Sequence, residues 1–331
     1  MRRVTSSATT SSGWQSTDNT LPICDRSISI SSWPTASVAE VGSNEGLFFA
    51  SLNDLAPVTV VMLHYLLSSH LEWQHCWPKL SEYHLLIPDL PQHSRSRRIG
   101  PFSFTLAADL VAQIIRERAH DGRAHLVGLS TGGFIAMEII KRHPDIVLSA
   151  FISGVAPLND MWKSLNSQPK LAHIGLSVLL HSPKSLLFKA TGWSPEFQDE
   201  NLIKEIKRNN TSQLYEAGAR DTVNWSKDDM VEVGKRDKRI ALVAGGKQDN
   251  VEGVRETVKL FESLGTGDGR GSRAFVVRHA IHAWNLQDPQ LFAKGVRAWI
   301  EKTPMPEGFE PLEAADIITE SVGTRAYKTR G

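Results

Sequence analysis

The chain is poor in cysteine, with only Cys24 and Cys76 among 331 residues. Neither lies in a C-x-x-C pair, so no disulfide framework is implied and a reducing compartment suits the chain. Long apolar runs are also missing. The longest candidate, Ile174 to Leu180, is interrupted by Gly175 and Ser177 and falls short of the roughly 18 residues that mark a membrane span. Neither sign of charge is in excess: 37 Lys and Arg against 36 Asp and Glu leave +1. That removes any general attraction to nucleic acid or to an anionic membrane. The dense basic cluster Arg95-Ser96-Arg97-Arg98 is short, has no interleaved aromatics and reads as a solvated loop. There is no H-E-x-x-H and no paired His/Cys spacing, so no metal is expected and no cofactor is called for. No internal repeat is present.

The first twenty residues begin Met-Arg-Arg, are rich in Ser and Thr, and lack the apolar core of a secretory signal. They have no acid before Asp18, which faintly resembles an organelle transit segment, but two arginines without an amphipathic period read instead as a disordered tail over 1–26. The expectation is a cytoplasmic protein. The sequons at Asn209, Asn210 and Asn224 then carry no meaning.

What is present suits a soluble globular protein: 41% hydrophobic and 22% charged residues. Residues 27–52 read as short strands with turns, such as SISIS and GLFFASL. Apolar β-type runs then alternate with helical patterns. VTVVMLH (58–64), HLLIPDL (84–90), AHLVGLS (124–130) and IVLSAFISG (146–154) are the strands. Leu106, Leu110, Val111, Ile114 and Ile115 give a helix over 105–118 with Thr105 as N-cap, and a second runs from Thr131 to about Arg142. The rhythm breaks over 157–237, where LAHIGLSVLL, SLLFKA and ENLIKEIKRNN read as helices and no strand is evident. It resumes with IALVAGG (240–246), a helix near 254–264, a strand at 274–277 and a helix over 289–301. Strand–helix alternation implies a mostly parallel central sheet with helices on both faces, an α/β class fold. The expected layout is a core over 27–156 and 238–301, an inserted helical lid over 157–237, and a loosely held extension over 302–331.

Where the third long strand runs into the helix that follows lies the informative stretch, HLVGLSTGG (125–133). Gly128-Leu129-Ser130-Thr131-Gly132 fits G-x-S-x-G. A serine on a sharp strand-to-helix turn is crowded, so its neighbours must be small. The turn lifts the hydroxyl out of the sheet and aims backbone N–H groups of the helix start at whatever it attacks.

On these residues the sequence resembles the α/β-hydrolase superfamily over roughly 35–301. His64-Tyr65 stands where the family has His-Gly. Asp89-Leu90-Pro91-Gln92-His93-Ser94-Arg95-Ser96 stands for an Asp-x-x-Gly-His-Gly-x-Ser loop, with both glycines replaced. Gly246-Lys247-Gln248-Asp249 matches the family's late G-x-x-D, and His282 precedes Trp284, Pro289, Phe292 and Trp299 in a familiar spacing. The resemblance implies Ser130 as nucleophile, His282 as base and Asp249 as the acid that orients it. His279 is the rival histidine, and Glu252, Asp160 and Asp221 are rival acids. His93 and Ser96 are read as structural loop residues. Thr131 and Leu66 are the expected oxyanion N–H donors, with Tyr65 as the substitute. Leu171, Ile174, Val178 and Leu179 share a helical face in the insertion, and Trp162, Leu179 and Trp193 are expected to line a substrate pocket. The implied activity is hydrolysis of an ester, lactone or thioester of a bulky, largely apolar small molecule through an acyl-enzyme. The alternatives are a lyase, C–C bond cleavage or cyclisation at the same residues, or a small-molecule receptor.

Overall fold

The structure, a computed structural model, describes residues 46–156, 168–193, 199–265 and 271–312. Cys24, SISIS, Asp160 and Trp162 lie outside the described residues.

Eight strands form one sheet in the order β1-β3-β2-β4-β5-β6-β7-β8. They are β1 (Phe49–Leu52), β2 (Thr59–Leu63), β3 (His84–Pro88), β4 (Ala124–Leu129), β5 (Val147–Ser153), β6 (Ile240–Gly245), β7 (Arg273–Val277) and β8 (Glu310–Pro311). The two outer strands are antiparallel to their neighbours, and every other pairing is parallel. Each central strand is buried on both faces, which is why Thr59-Val60-Val61-Met62-Leu63 shows no polar alternation.

The helices are α1 (Phe104–Arg118), α2 (Thr131–Arg142), α3 (Pro169–Leu180), α4 (Lys184–Thr191), α5 (Glu200–Asn209), α6 (Ser212–Asn224), α7 (Lys227–Gly234), α8 (Val251–Leu264), α9 (Trp284–Gln287) and α10 (Pro289–Glu301). Alternation along β5 shows how both faces are filled. Phe151 meets Phe292 of α10 at 5.4 Å between ring centroids. Its neighbour Ile152 points the other way and closes on Gly133 of α2. The expected boundaries fit closely at α2 and α10. The start of α1 differs: Ser103, not Thr105, caps it by accepting from Leu106 N. The Asp221 carboxylate accepts from Phe104 N at 2.9 Å, and Thr105 turns instead toward Glu138.

Among the described residues, five helices, α3 to α7, occupy the span between β5 and β6, two more than the sequence pattern singled out. Helix α6 hides from a periodicity search because Gly218, Ala217 and Ala219 supply much of its buried face. On α3, Leu171, Ile174 and Val178 are exposed rather than packed.

The chain after α10 also departs from expectation. Residues 303–312 return to the sheet, and Phe309 buries itself against Phe151, Phe275 and Trp284. Its seat is Gly295 on α10, where any side chain would collide with the Phe309 ring. Among the described residues no helix is long and apolar enough to cross a membrane.

Candidate active site

The turn from β4 into α2 places Ser130 at φ 53°, ψ −119°, a strained conformation for any residue with a side chain. The structure over-determines it. Ser130 N–H donates to Ser153 O at 2.9 Å, and Ser130 O accepts from Gly133 N and Phe134 N. The glycines are needed for clearance. A side chain at Gly132 would strike Leu63 O, at Gly128 the Gly132 carbonyl, and at Gly133 both Val155 and Ile152. The first turn of α2 thus lies directly on the end of β2. The Ser130 side chain remains half-exposed. Thr131 N–H, at the start of α2, has no hydrogen-bond partner among the described residues.

Asp249 and His282 meet at the tops of β6 and β7. Asp249 Oδ1 lies 2.5 Å from His282 Nδ1. Its Oδ2 accepts from Gly245 N at 2.6 Å, and only 5% of the side chain is exposed. A side chain at Gly245 or Gly246 would strike the backbone of the histidine loop, so G-x-x-D needs its glycine for close approach. The histidine loop is pinned by its neighbours: His282 N–H donates to Gln248 Oε1 at 2.8 Å, and Ile281 N–H to Gln287 Oε1 at 2.9 Å. Desolvation pulls the His282 pKa down, but the charge and hydrogen bond of Asp249 outweigh it and hold it above the usual histidine value. The ring rests on Gly154, where a Cβ would fall 2.7 Å from Cε1. Gly154 follows Ser153, which pairs with Ser130. With Nδ1 on Asp249, Nε2 has no hydrogen-bond partner among the described residues, and the Ser130 hydroxyl makes no bond to it in this state.

Three of the rivals, His279, Asp221 and Glu252, fall elsewhere, and Asp160 lies outside the described residues. His279 is exposed, with no carboxylate beside it in the described residues. Asp221 caps α1, and Glu252 pairs with Arg255 on an exposed face of α8.

The loop after β2 settles which N–H groups are free. Tyr65 N–H donates to Glu72 Oε2 at 3.0 Å, so Tyr65 cannot serve as the substitute donor. Leu67 N–H donates to His93 Nε2 at 3.0 Å, and Ser68 N–H to Tyr65 O at 3.1 Å. Leu66 N–H, between them, has no partner among the described residues. Its side chain packs on Gly218 of α6, and at the far side of the site Gly192, after α4, packs on Ile281.

Sequence reading did not single out Glu72 and gave Asn209 no structural role. Glu72 is fully buried, and burial raises its pKa to about 8 despite bonds from Tyr65 N and Asn285 Nδ2. A lone acid inside His70-Leu71-Glu72-Trp73 is the one local signal of it. Burial lowers His64 to about 4 and His93 to about 3, so both are neutral hydrogen-bonding rings. His64 Nε2 accepts from Leu90 N, and Ser96 Oγ accepts from Phe48 N. Asn209, at the end of α5, reaches both loops.

Leu179 and Trp193 are half-buried, and Trp162 is outside the described residues. Two clefts, of about 280 and 850 Å³, open at the opposite ends of the strands, near Asp237, Arg239 and Arg273. Neither Leu179 nor Trp193 lines them.

A family model described as alpha/beta hydrolase fold matches residues 58–172. An AB hydrolase superfamily protein of Gibberella zeae is 29% identical over 261 residues, covering 77% of this chain and 84% of that protein. A pimeloyl-[acyl-carrier protein] methyl ester esterase of Neisseria meningitidis serogroup B is 28% identical over 221 residues, 64% of this chain and 81% of its own. Among solved structures, an Acinetobacter baumannii AYE protein provisionally assigned as a lipase superposes with a TM-score of 0.64 at 18% identity, covering 81% of this chain and 91% of that one. At that identity the superposition speaks for the fold alone.

Proposed function

Since this chain belongs to the α/β-hydrolase superfamily, we propose that it is a serine hydrolase acting on an ester-type bond through an acyl-enzyme. The observation that carries this reading is the buried Asp249 carboxylate 2.5 Å from His282 Nδ1, with the ring seated on Gly154 beside the strained Ser130 turn. A carboxylate so placed fixes the tautomer with Nε2 as the proton acceptor and stabilises the imidazolium that forms. Nε2 takes the Ser130 proton as the hydroxyl attacks the acyl carbon, then returns it to the leaving alcohol or thiol. Water repeats the sequence to release the acid. Thr131 and Leu66 N–H, both without a partner among the described residues, receive the oxyanion, each worth about 3 kcal/mol of barrier. The name of the Neisseria relative, a methyl ester esterase, agrees with this bond type.

Helices α3 to α7 act as the lid. They close on the site from two sides, α6 through Gly218 on Leu66 and the end of α4 through Gly192 on Ile281. Leu179 and Trp193, with Trp162, are the proposed apolar walls, and the preferred substrate is a bulky, largely apolar ester, lactone or thioester. The test is covalent labelling by a fluorophosphonate together with a p-nitrophenyl ester series of rising acyl length. Labelling of wild type but not of Ser130→Ala, with kcat/KM rising with acyl size, is the expected result. An unlabelled wild type overturns the serine mechanism, and a preference for acetate overturns the bulky substrate.

A further inference from the structure

Both loops that flank the proposed oxyanion site carry residues with side chains where the backbone is left-handed. Tyr65 to Ser68 is a tight turn closed by Ser68 N–H to Tyr65 O, and its third residue, Leu67, has φ 69°. Glycine or asparagine is usual at such a position. In the loop after β3, Gln92 and Ser94 have φ 61° and 40°. These are the two positions where the sequence lacks the expected glycines, so the left-handed geometry persists without the residue that adopts it freely. Each such residue costs about 1–3 kcal/mol and persists only where its surroundings over-determine it.

Asn209 supplies that restraint from 115 to 142 residues away. Its Oδ1 accepts from Ser94 N at 2.8 Å, and its Nδ2 donates to Leu67 O at 3.0 Å, Ser68 O at 2.8 Å and Ser94 Oγ at 2.9 Å. The residue is 3% exposed. The amide orientation is forced, because only an oxygen can face the Ser94 N–H. With His93 on Leu67 N–H, the Leu67 peptide groups are held on both sides, leaving Leu66 N–H the one amide of Tyr65 to Ser68 without a partner among the described residues.

We propose that Asn209 is a positioning residue: by clamping Leu67 and Ser94 in left-handed backbone, it holds Leu66 N–H in place as an oxyanion donor. The inference rests on the serine mechanism above. It also makes the end of α5 a fixed part of the site rather than a moving part of the lid.

The variants are Asn209→Asp, which keeps shape and the Ser94 acceptor but loses both donations to carbonyls, and Asn209→Ala. The measurements are kcat and KM on a p-nitrophenyl ester, inhibition by a trifluoromethyl ketone that forms a tetrahedral adduct, and amide hydrogen exchange at Leu66 to Ser68. Expected for Asn209→Asp is a fall in kcat of about 10- to 100-fold with KM nearly unchanged. Trifluoromethyl ketone affinity falls in parallel, and exchange at Leu67 and Ser68 becomes faster. Ser94→Gly, which adopts positive φ unaided, should restore part of the kcat lost in Asn209→Ala. Unchanged kcat and ketone affinity per folded molecule, or unchanged exchange at Leu67 and Ser68, overturns the proposal. If Asn209→Ala does not fold, the Asp variant and the exchange measurement still decide. Failure of Ser130 labelling in wild type is a different result, which overturns the serine mechanism and with it the catalytic meaning of the clamp.

Discussion

At the scale of single residues, the pair Asp249 and His282 makes a signed pH prediction. The proposed base acts only when neutral, and Asp249 raises its pKa above 6.5. The cation therefore persists to higher pH than in a free histidine, and the acid limb of kcat/KM should have its midpoint above 6.5. Asp249→Asn removes the raising charge and leaves desolvation, so the ring loses both its tautomer control and its raised pKa. A loss of about 10⁴ in kcat is expected, readable in a pH series of ester hydrolysis. An unmoved acid limb with near-full activity would show that Asp249 is not the acid. Glu72 gives a second, independent test. Its folded pKa of about 8 lies above the 4.5 of an ordinary glutamate, so between these values the folded state holds a proton that the unfolded chain releases. The associated stability is full below about 4.5 and is lost as pH rises through 8. From pH 6.5 to 8 the unfolding free energy of wild type relative to Glu72→Gln, measured by urea unfolding at each pH, should fall, and a constant difference would show that Glu72 is not held protonated. His282 is present in both proteins and cancels, while the buried His64 and His93 act only at lower pH.

At the scale of elements, two glycines hold helices against loops for different reasons, and substitution separates them. Gly132 in α2 faces the backbone of Leu63, which has no flexible end to move. Gly132→Ala must drive α2 off β2, and thermal unfolding should show a loss of several kcal/mol, as for other overpacked cores. Gly218 in α6 faces only the tip of Leu66 at 2.6 Å. Gly218→Ala gains up to about 1 kcal/mol of helix propensity and spends it pushing Leu66. Stability should stay nearly level while kcat/KM for long-chain esters shifts. A matched fall in both would mean that α6 supports the fold and leaves the site untouched.

At the scale of the whole molecule, the sheet is finished by residues that lie past the last helix. Phe309 links β8, α10 and the β5 face through contacts with Phe151, Phe275 and Trp284. It packs on Phe151, whose side chain lies on the sheet face opposite α2. Phe309→Ala should cost about 3–5 kcal/mol in urea unfolding and leave kcat per folded molecule unchanged. A large kcat loss without destabilisation would show instead that this face communicates with the site.

The sequence by itself determined what rests on short-range pattern: the buried strands, the span of α2 from Thr131 to Arg142, the G-x-S-x-G turn, and the order of strands and helices. Apolar period and glycine clearance are local properties, so they are written in neighbouring residues. Tertiary structure decided everything that depends on which groups the folded chain brings into contact. Which carboxylate meets His282 depends on β6 lying beside β7. That Leu66, not Tyr65, keeps a free N–H depends on Glu72 turning back to it. Left-handed Leu67 and Ser94 in place of glycine depend on Asn209, and the return of residues after Lys302 depends on a seat at Gly295. Partners that only folding brings together leave no periodic trace, and a single buried Asn or Glu looks like any polar residue until packing removes its water.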